Sequence, residues 1–177
     1  MRSPFDILAE YERRSLAHTV RMPVRELETG LWRGIGYRVG EHRLVSHFAE
    51  VVEIVALPTI TPVPGTQPWL LGISNLRGNL FPVVDMKLFL EGVATPVREG
   101  QRVLIVHQDG GDAVLIIDEL YGQRGFLVEQ KIDPAAVRTG RYAPFIEGAF
   151  RGEDESVWGV FSLDRLGNTP QFRHAAA

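Results

Sequence analysis

Along this chain the hydrophobic positions fall into short runs, divided by glycine, proline and clusters of charge. Ile35, Tyr37 and Val39 alternate with Gly34, Gly36 and Arg38, the two-residue period of a strand. Leu44, Ser46 and Phe48 continue as its return after a Gly40-Glu41 turn. Val103-Leu104-Ile105-Val106 is apolar on both faces, which predicts a strand covered on both sides. Ala113 to Ile117 returns after the glycines of Asp109-Gly110-Gly111-Asp112. Further strands are expected at Leu120 to Val128, Ile146 to Phe150 and Val157 to Phe161, the last two joined by the acidic turn Gly152 to Glu155. About ten short strands with little helix between them predict an all-β barrel architecture. Helical spacing is confined to the ends and one internal turn. Residues 4–18 carry Phe5, Leu8, Glu12 and Leu16 on one side, widened by Ile7 and Tyr11, with Ser3 and Pro4 suited to the start. This segment either docks on its own domain or serves as a partner-binding arm. Asp85 can cap a short helix that ends at Gly92, and Ser162 can cap another over Leu163–Leu166. The expected organisation is a helical extension over residues 1–31, a domain over 32–166 and a flexible tail over 167–177.

The most informative stretch is Val63 to Asp85. Pro64-Gly65 and Pro68 open it with turn chemistry. Two apolar runs follow, Trp69–Ile73 and Leu80–Val84, separated by Asn75-Leu76-Arg77-Gly78-Asn79. That pattern predicts two strands and a tight turn, with Gly78 free to take a positive φ and Asn75 helping to build the turn. Gly72 permits another backbone to come close, within the barrel or across an interface. Arg77 is anomalous between two apolar strands. A guanidinium there offers a planar fork for a carboxylate, in a partner or within the domain, where Glu53 is the candidate.

Val51-Val52-Glu53-Ile54-Val55 is the second such stretch. If regularly extended, it places Val51, Glu53 and Val55 on one face, so one carboxylate stands between two valines. An apolar patch with a single charge suits protein binding, but an ordinary rim position suits the pattern equally.

Composition narrows the chemistry. The formal charge is −3, from 19 basic and 22 acidic residues, and no basic stripe favours nucleic acid. The chain has no cysteine, which removes disulfides, thiolate catalysis and cysteine-based metal sites. No signal segment or long apolar run implies export or membrane insertion. Gly34-x-Gly36 lacks the third glycine and following helix of a dinucleotide fingerprint. His42 and His47 fall on opposite faces of a strand and are expected to face solvent. Asp118-Glu119 is expected at a solvated strand end. No nucleophile, phosphate-loop or metal motif is legible, so no catalytic residue, cofactor or metal is assigned. The rival from another class is a hydrolytic or ligand-binding barrel using Asp85, Asp118 and a histidine.

The order Pro64, Gly65, Gly72, Ile73, Asn75, Arg77, Gly78, Pro82, Val83, Asp85 resembles the signature of the CheW family of chemotaxis adaptors, and the likeness extends more loosely from about Trp32 to Leu166. The N-terminal opening and Gly30-Leu31-Trp32-Arg33-Gly34-Ile35-Gly36-Tyr37-Arg38-Val39-Gly40 resemble the PilI type, which serves type IV pilus twitching motility. The resemblance implies two intertwined five-stranded SH3-like barrels sharing a core. It implies a cytoplasmic, non-catalytic adaptor in receptor arrays. Its partners would be a methyl-accepting chemoreceptor tip, held in a groove between the barrels, and the regulatory domain of a CheA-type histidine kinase. Carried over by position, Val51, Glu53, Gly72 and Arg77 would contact partners. Asn75, Gly78, Pro82 and Asp85 would shape the turn and strand end. A flagellar-type adaptor of the same family is the alternative.

Overall fold

The computed structural model describes residues 30–108 and 111–175. The helix expected over 4–18 lies outside them, as does part of the turn at Asp109. Eleven strands form two sheets. In chain order they are β1 (Leu31–Val39), β2 (His42–His47), β3 (Val51–Ala56), β4 (Leu70–Leu76), β5 (Asn79–Asp85), β6 (Arg102–Val106), β7 (Ala113–Ile116), β8 (Glu119–Leu127), β9 (Lys131–Ile132), β10 (Ile146–Arg151) and β11 (Val157–Phe161). One sheet runs β8-β1-β2-β11-β10-β9, the sixth strand being only two residues long; the other runs β3-β6-β7-β5-β4.

The two sheets repeat one pairing plan. A hairpin, β1–β2 or β6–β7, is flanked on one side by an antiparallel strand, β8 or β3. On the other side it is flanked by a parallel strand, β11 or β5, itself paired antiparallel with β10 or β4. Each half of the chain supplies a hairpin, then a single strand, then a further antiparallel pair, and the halves exchange their first hairpins. This is the intertwining that the sequence resemblance implied.

Apolar alternation then builds three cores. Val103, Ile105, Val114 and Ile116 point into the β3–β7 barrel. Leu104, Val106, Ala113 and Leu115, on the opposite faces of the same strands, join Ile35, Tyr37, Val39, Leu44 and Phe161 in a core between the barrels. Val45, Phe126, Phe150, Trp158 and Val160 fill the other barrel. The continuous run at 103–106 thus has its cause in double burial. Within the shared core, Ser46 donates to the Phe161 carbonyl at 2.7 Å, so Tyr37 donates in turn to Ser46 Oγ at 2.7 Å. That chain ties β1, β2 and β11 and satisfies two fully buried hydroxyls.

Helices are short. Helix α1 (Met86–Glu91) begins at Asp85, whose side chain accepts from Leu88 N, and ends at Gly92 in the left-handed region. Helix α2 (Leu163–Gly167) is capped by Ser162. The flexible tail expected from residue 167 is corrected by a further helix, α3 (Pro170–Arg173). Phe172 is its anchor: buried, stacked on Trp69 at 5.6 Å and edge-on to Phe89 at 5.5 Å.

Three smaller expectations also change. Phe48 leaves β2 for a 3-10 turn. His42 is half-buried rather than free in solvent: it stacks on Tyr142 at 3.9 Å, beside Glu91. Asp118 is not solvated: its side chain is 9% exposed, accepts from Gly40 N at 2.7 Å and lies 3.6 Å from Lys87 Nζ. The glycine at 40 lets that turn approach Glu91 and Asp118 closely, and of the two carboxylates it is Asp118 that is largely buried.

Candidate functional site

The hairpin between β4 and β5 has two residues in its loop, Arg77 at φ 55° and Gly78 at φ 88°. Positive φ at both centres is the turn whose twist matches the strands it joins, and it favours Asn or Asp before Gly. Asn75 supports it by accepting from Gly78 N at 2.9 Å. An arginine in the first place is held in a conformation that side chains of its size disfavour.

That conformation aims the guanidinium across the mouth of the barrel. Arg77 Nη1 donates to Glu53 Oε2 at 3.0 Å and Nη2 to Oε1 at 2.7 Å, a bidentate pair. Because β3 and β4 are opposite edges of the five-stranded sheet, the pair clasps the two ends of the sheet together. The clasp remains open to solvent, with Arg77 77% exposed and Glu53 36%. Glu53 raises the Arg77 pKa above its ordinary value through this hydrogen bond, so the cation persists at every working pH.

Apolar side chains surround the pair, though not those expected. A bulge between Val51 and Glu53 leaves Val52 as the extra residue of β3. Val51 therefore turns to the shared core with Ile54, while Val55 faces the barrel interior. Val52 is thrown outward, 54% exposed, and Leu80 beside the hairpin tip is 65% exposed. Regular alternation assigned Val51 to the face of Glu53; the bulge replaces it with Val52. Leu80 was visible in sequence only as part of an apolar run.

The remaining signature residues build the frame. Gly72, at φ 146°, faces the Thr61 carbonyl so closely that a Cβ would stand 2.1 Å from it. The close approach is internal, where Thr61 and Ile73 exchange backbone hydrogen bonds. Pro82 lies opposite Ile73, one residue before β5 begins to pair with β7, so its missing N–H disrupts no ladder there. Asp85 is buried and accepts from Leu88 N, Thr95 N and Thr95 Oγ. Asp85 and Asp118 are both committed to such internal bonds rather than to a common cleft.

The groove between the barrels is a separate place. It measures about 880 Å³ and is lined by Trp69, Phe89, Pro144, Phe145, Arg141 and His174 among others. None of Val51, Glu53, Gly72 or Arg77 lines it. Among the described residues no helix is long and apolar enough to cross a membrane.

Comparison with known proteins places these features in context. A family profile described as the CheW-like domain matches residues 33–171. Protein PilI of Pseudomonas aeruginosa is 32% identical over 176 residues, covering 99% of this chain and 98% of the relative. Chemotaxis protein CheW of Helicobacter pylori is 33% identical over 86 residues, 49% of this chain and 52% of the relative. The crystal structure of the scaffolding protein TtCheW from Thermoanaerobacter tengcongensis superposes with TM-score 0.65 at 26% identity, covering 78% of this chain and 93% of that one.

Proposed function

The chain belongs to the CheW-like family, and from that premise we propose that it is a non-catalytic adaptor coupling a methyl-accepting chemoreceptor to a CheA-type histidine kinase in type IV pilus twitching motility. Full-length similarity to PilI supports the pilus-type assignment over a flagellar-type one. The adaptor acts in the cytoplasm, at arrays of membrane-bound receptors.

The observation that carries the reading is the exposed clasp of Glu53 and Arg77 beside Val52, in a recess that Leu76 and Phe81 also line. A bidentate ion pair in solvent adds little to stability. An arginine in a disfavoured turn conformation, ringed by apolar surface, has the anatomy of a docking centre: charge for register, hydrocarbon for affinity. The clasp keeps the guanidinium fixed before a partner arrives, so little side-chain entropy is lost on binding. Receptor state would then bias the kinase because the adaptor binds one arrangement of the two better than the other.

The test is binding of the full chain to a receptor cytoplasmic tip and to a kinase regulatory domain, repeated with Glu53→Lys, Arg77→Glu and Arg77→Asn. Arg77→Asn suits the turn and should leave the unfolding midpoint unchanged or raised, while receptor binding falls about tenfold or more. Undiminished binding in all three variants would overturn the assignment of this surface.

A further inference from the structure

We propose that the outer edge of β8 docks an extended segment of a partner protein, which pairs with the backbone of Gln123 and Gly125 and sets one carboxylate on Arg124. Unpaired sheet edges invite such additions, so proteins close or shorten them. The clasp of Arg77 and Glu53 ties the edges of one sheet, and β9 ends the other after two residues. At its opposite edge that sheet ends in β8, nine residues long. Pairing with β1 decides which groups of β8 face outward. Val128 N donates to the Gly30 carbonyl at 2.9 Å, and antiparallel alternation then turns the backbone of Phe126 and Arg124 toward β1. Gln123, Gly125 and Leu127 offer theirs to the other side. Leu127 N is met by Gln130 Oε1 at 2.7 Å. Gln123 and Gly125 are exposed, and their outward backbone groups find no partner among the described residues.

Beside that edge lies a cleft of about 540 Å³, between β8 and the turn joining β10 to β11. Tyr121 and Trp158 form its floor, edge to face at 5.3 Å, and two guanidiniums lie over both rings. Arg43 pairs with Asp154 at 3.0 Å. Arg124, 5.3 Å from the Trp158 centroid, has no carboxylate or hydrogen bond among the described residues. The backbone makes room for it: a Cβ on Gly36 would meet Arg124 Cγ at 2.7 Å and the Trp158 ring at 3.0 Å. Stacking holds the cation in place, so an arriving carboxylate meets a fixed fork. Glu153 and Asp154 line the same cleft and repel an extended polyanion. That disfavours a nucleic-acid backbone or an anionic membrane and suits a single acid on a strand. The site lies in the other barrel from the clasp, so its test stands apart from that of the adaptor reading.

The test titrates isotope-labelled full-length protein with a blocked heptapeptide of alternating threonine and valine, centred on aspartate. The amide protons of Gln123 and Gly125 should move downfield and saturate. A lysine-centred peptide should bind at least about threefold more weakly. In Arg124→Gln that difference should vanish while both amides still shift. The aspartate peptide N-methylated throughout should leave them unmoved, because it cannot pair with an edge. Five results overturn the proposal: no movement at Gln123 and Gly125, equal shifts from the N-methylated peptide, equal affinity of the aspartate and lysine peptides for the parent, short duplex DNA binding more tightly than the aspartate peptide, or the same shifts on concentrating the protein alone, which would assign the edge to a second copy.

Discussion

Asp85 ends the family signature, and its burial makes it the most discriminating position to perturb. One of its oxygens accepts from Leu88 N at 3.1 Å and from the Thr95 hydroxyl at 2.7 Å; the other accepts from Thr95 N at 2.8 Å. Asp85 is 1% exposed and Thr95 5%, so water does not replace a lost acceptor freely. Asp85→Ala removes a helix cap, about 1 kcal/mol, and orphans a buried N–H and hydroxyl at about 1–3 kcal/mol each. Some relaxation into the space vacated brings the sum to about 3–5 kcal/mol. Asp85→Asn is the sharper probe. Whichever way the amide is turned, its NH₂ faces one backbone donor, Leu88 N or Thr95 N, so one bond is lost and the others survive. That predicts about 1–3 kcal/mol. Urea unfolding read by tryptophan fluorescence, with matching m-values, measures both variants, and the alanine form should melt roughly 10 °C lower. An alanine variant within about 1 kcal/mol of the parent would refute the account. So would an asparagine variant as weak as alanine, since it would mean that charge rather than acceptor geometry holds the site.

Two further outcomes follow from backbone and burial. Gly72→Ala should destabilise by at least about 3 kcal/mol, because its Cβ meets the Thr61 carbonyl, whereas Gly65→Ala, at φ 72° in open space, should lose only about 1 kcal/mol; equal losses would refute the contact. Burial raises the pKa of Tyr37 above its ordinary 10.0, against the lowering effect of Ser46, so the folded chain keeps a proton that the unfolded chain releases. Stability is therefore full below that value and falls as pH rises past it; Tyr37→Phe should flatten the decline in urea midpoints, leaving the slope due to Tyr142, which burial and Glu91 also raise.

Much of this fold was legible because it rests on periodicity and turn chemistry. The run at 103–106 declared double burial, and Asn75 with Arg77-Gly78 declared a tight turn between strands, whose two-residue loop the structure supplied. Glu53 opposite Arg77 was within reach of sequence reasoning, since only one acid stood on a strand otherwise apolar. The bulge at Val52 was not, because no residue type announces it; it follows from how β3 must bend to meet Ile105. His42 and Asp118 were misplaced for a related cause. His42 has polar neighbours and Asp118 stands at the polar end of an apolar run, while what covers them comes from Tyr142, Glu91, Gly40 and Lys87, distant along the chain. Phe172 was hidden among polar residues, with its partners Trp69 and Phe89 far upstream.

The exchange of hairpins has a consequence for synthesis. As the polypeptide leaves the ribosome, the barrel of β3 to β7 is complete once Ile116 emerges. The hairpin of β1 and β2, made long before, still lacks β8, β10 and β11. Its greasy faces wait for strands translated more than seventy residues later, a lag of seconds at cellular elongation rates of about 5–20 residues per second. The first-made piece is the last to find its place, and the nascent chain is most vulnerable to aggregation in that interval.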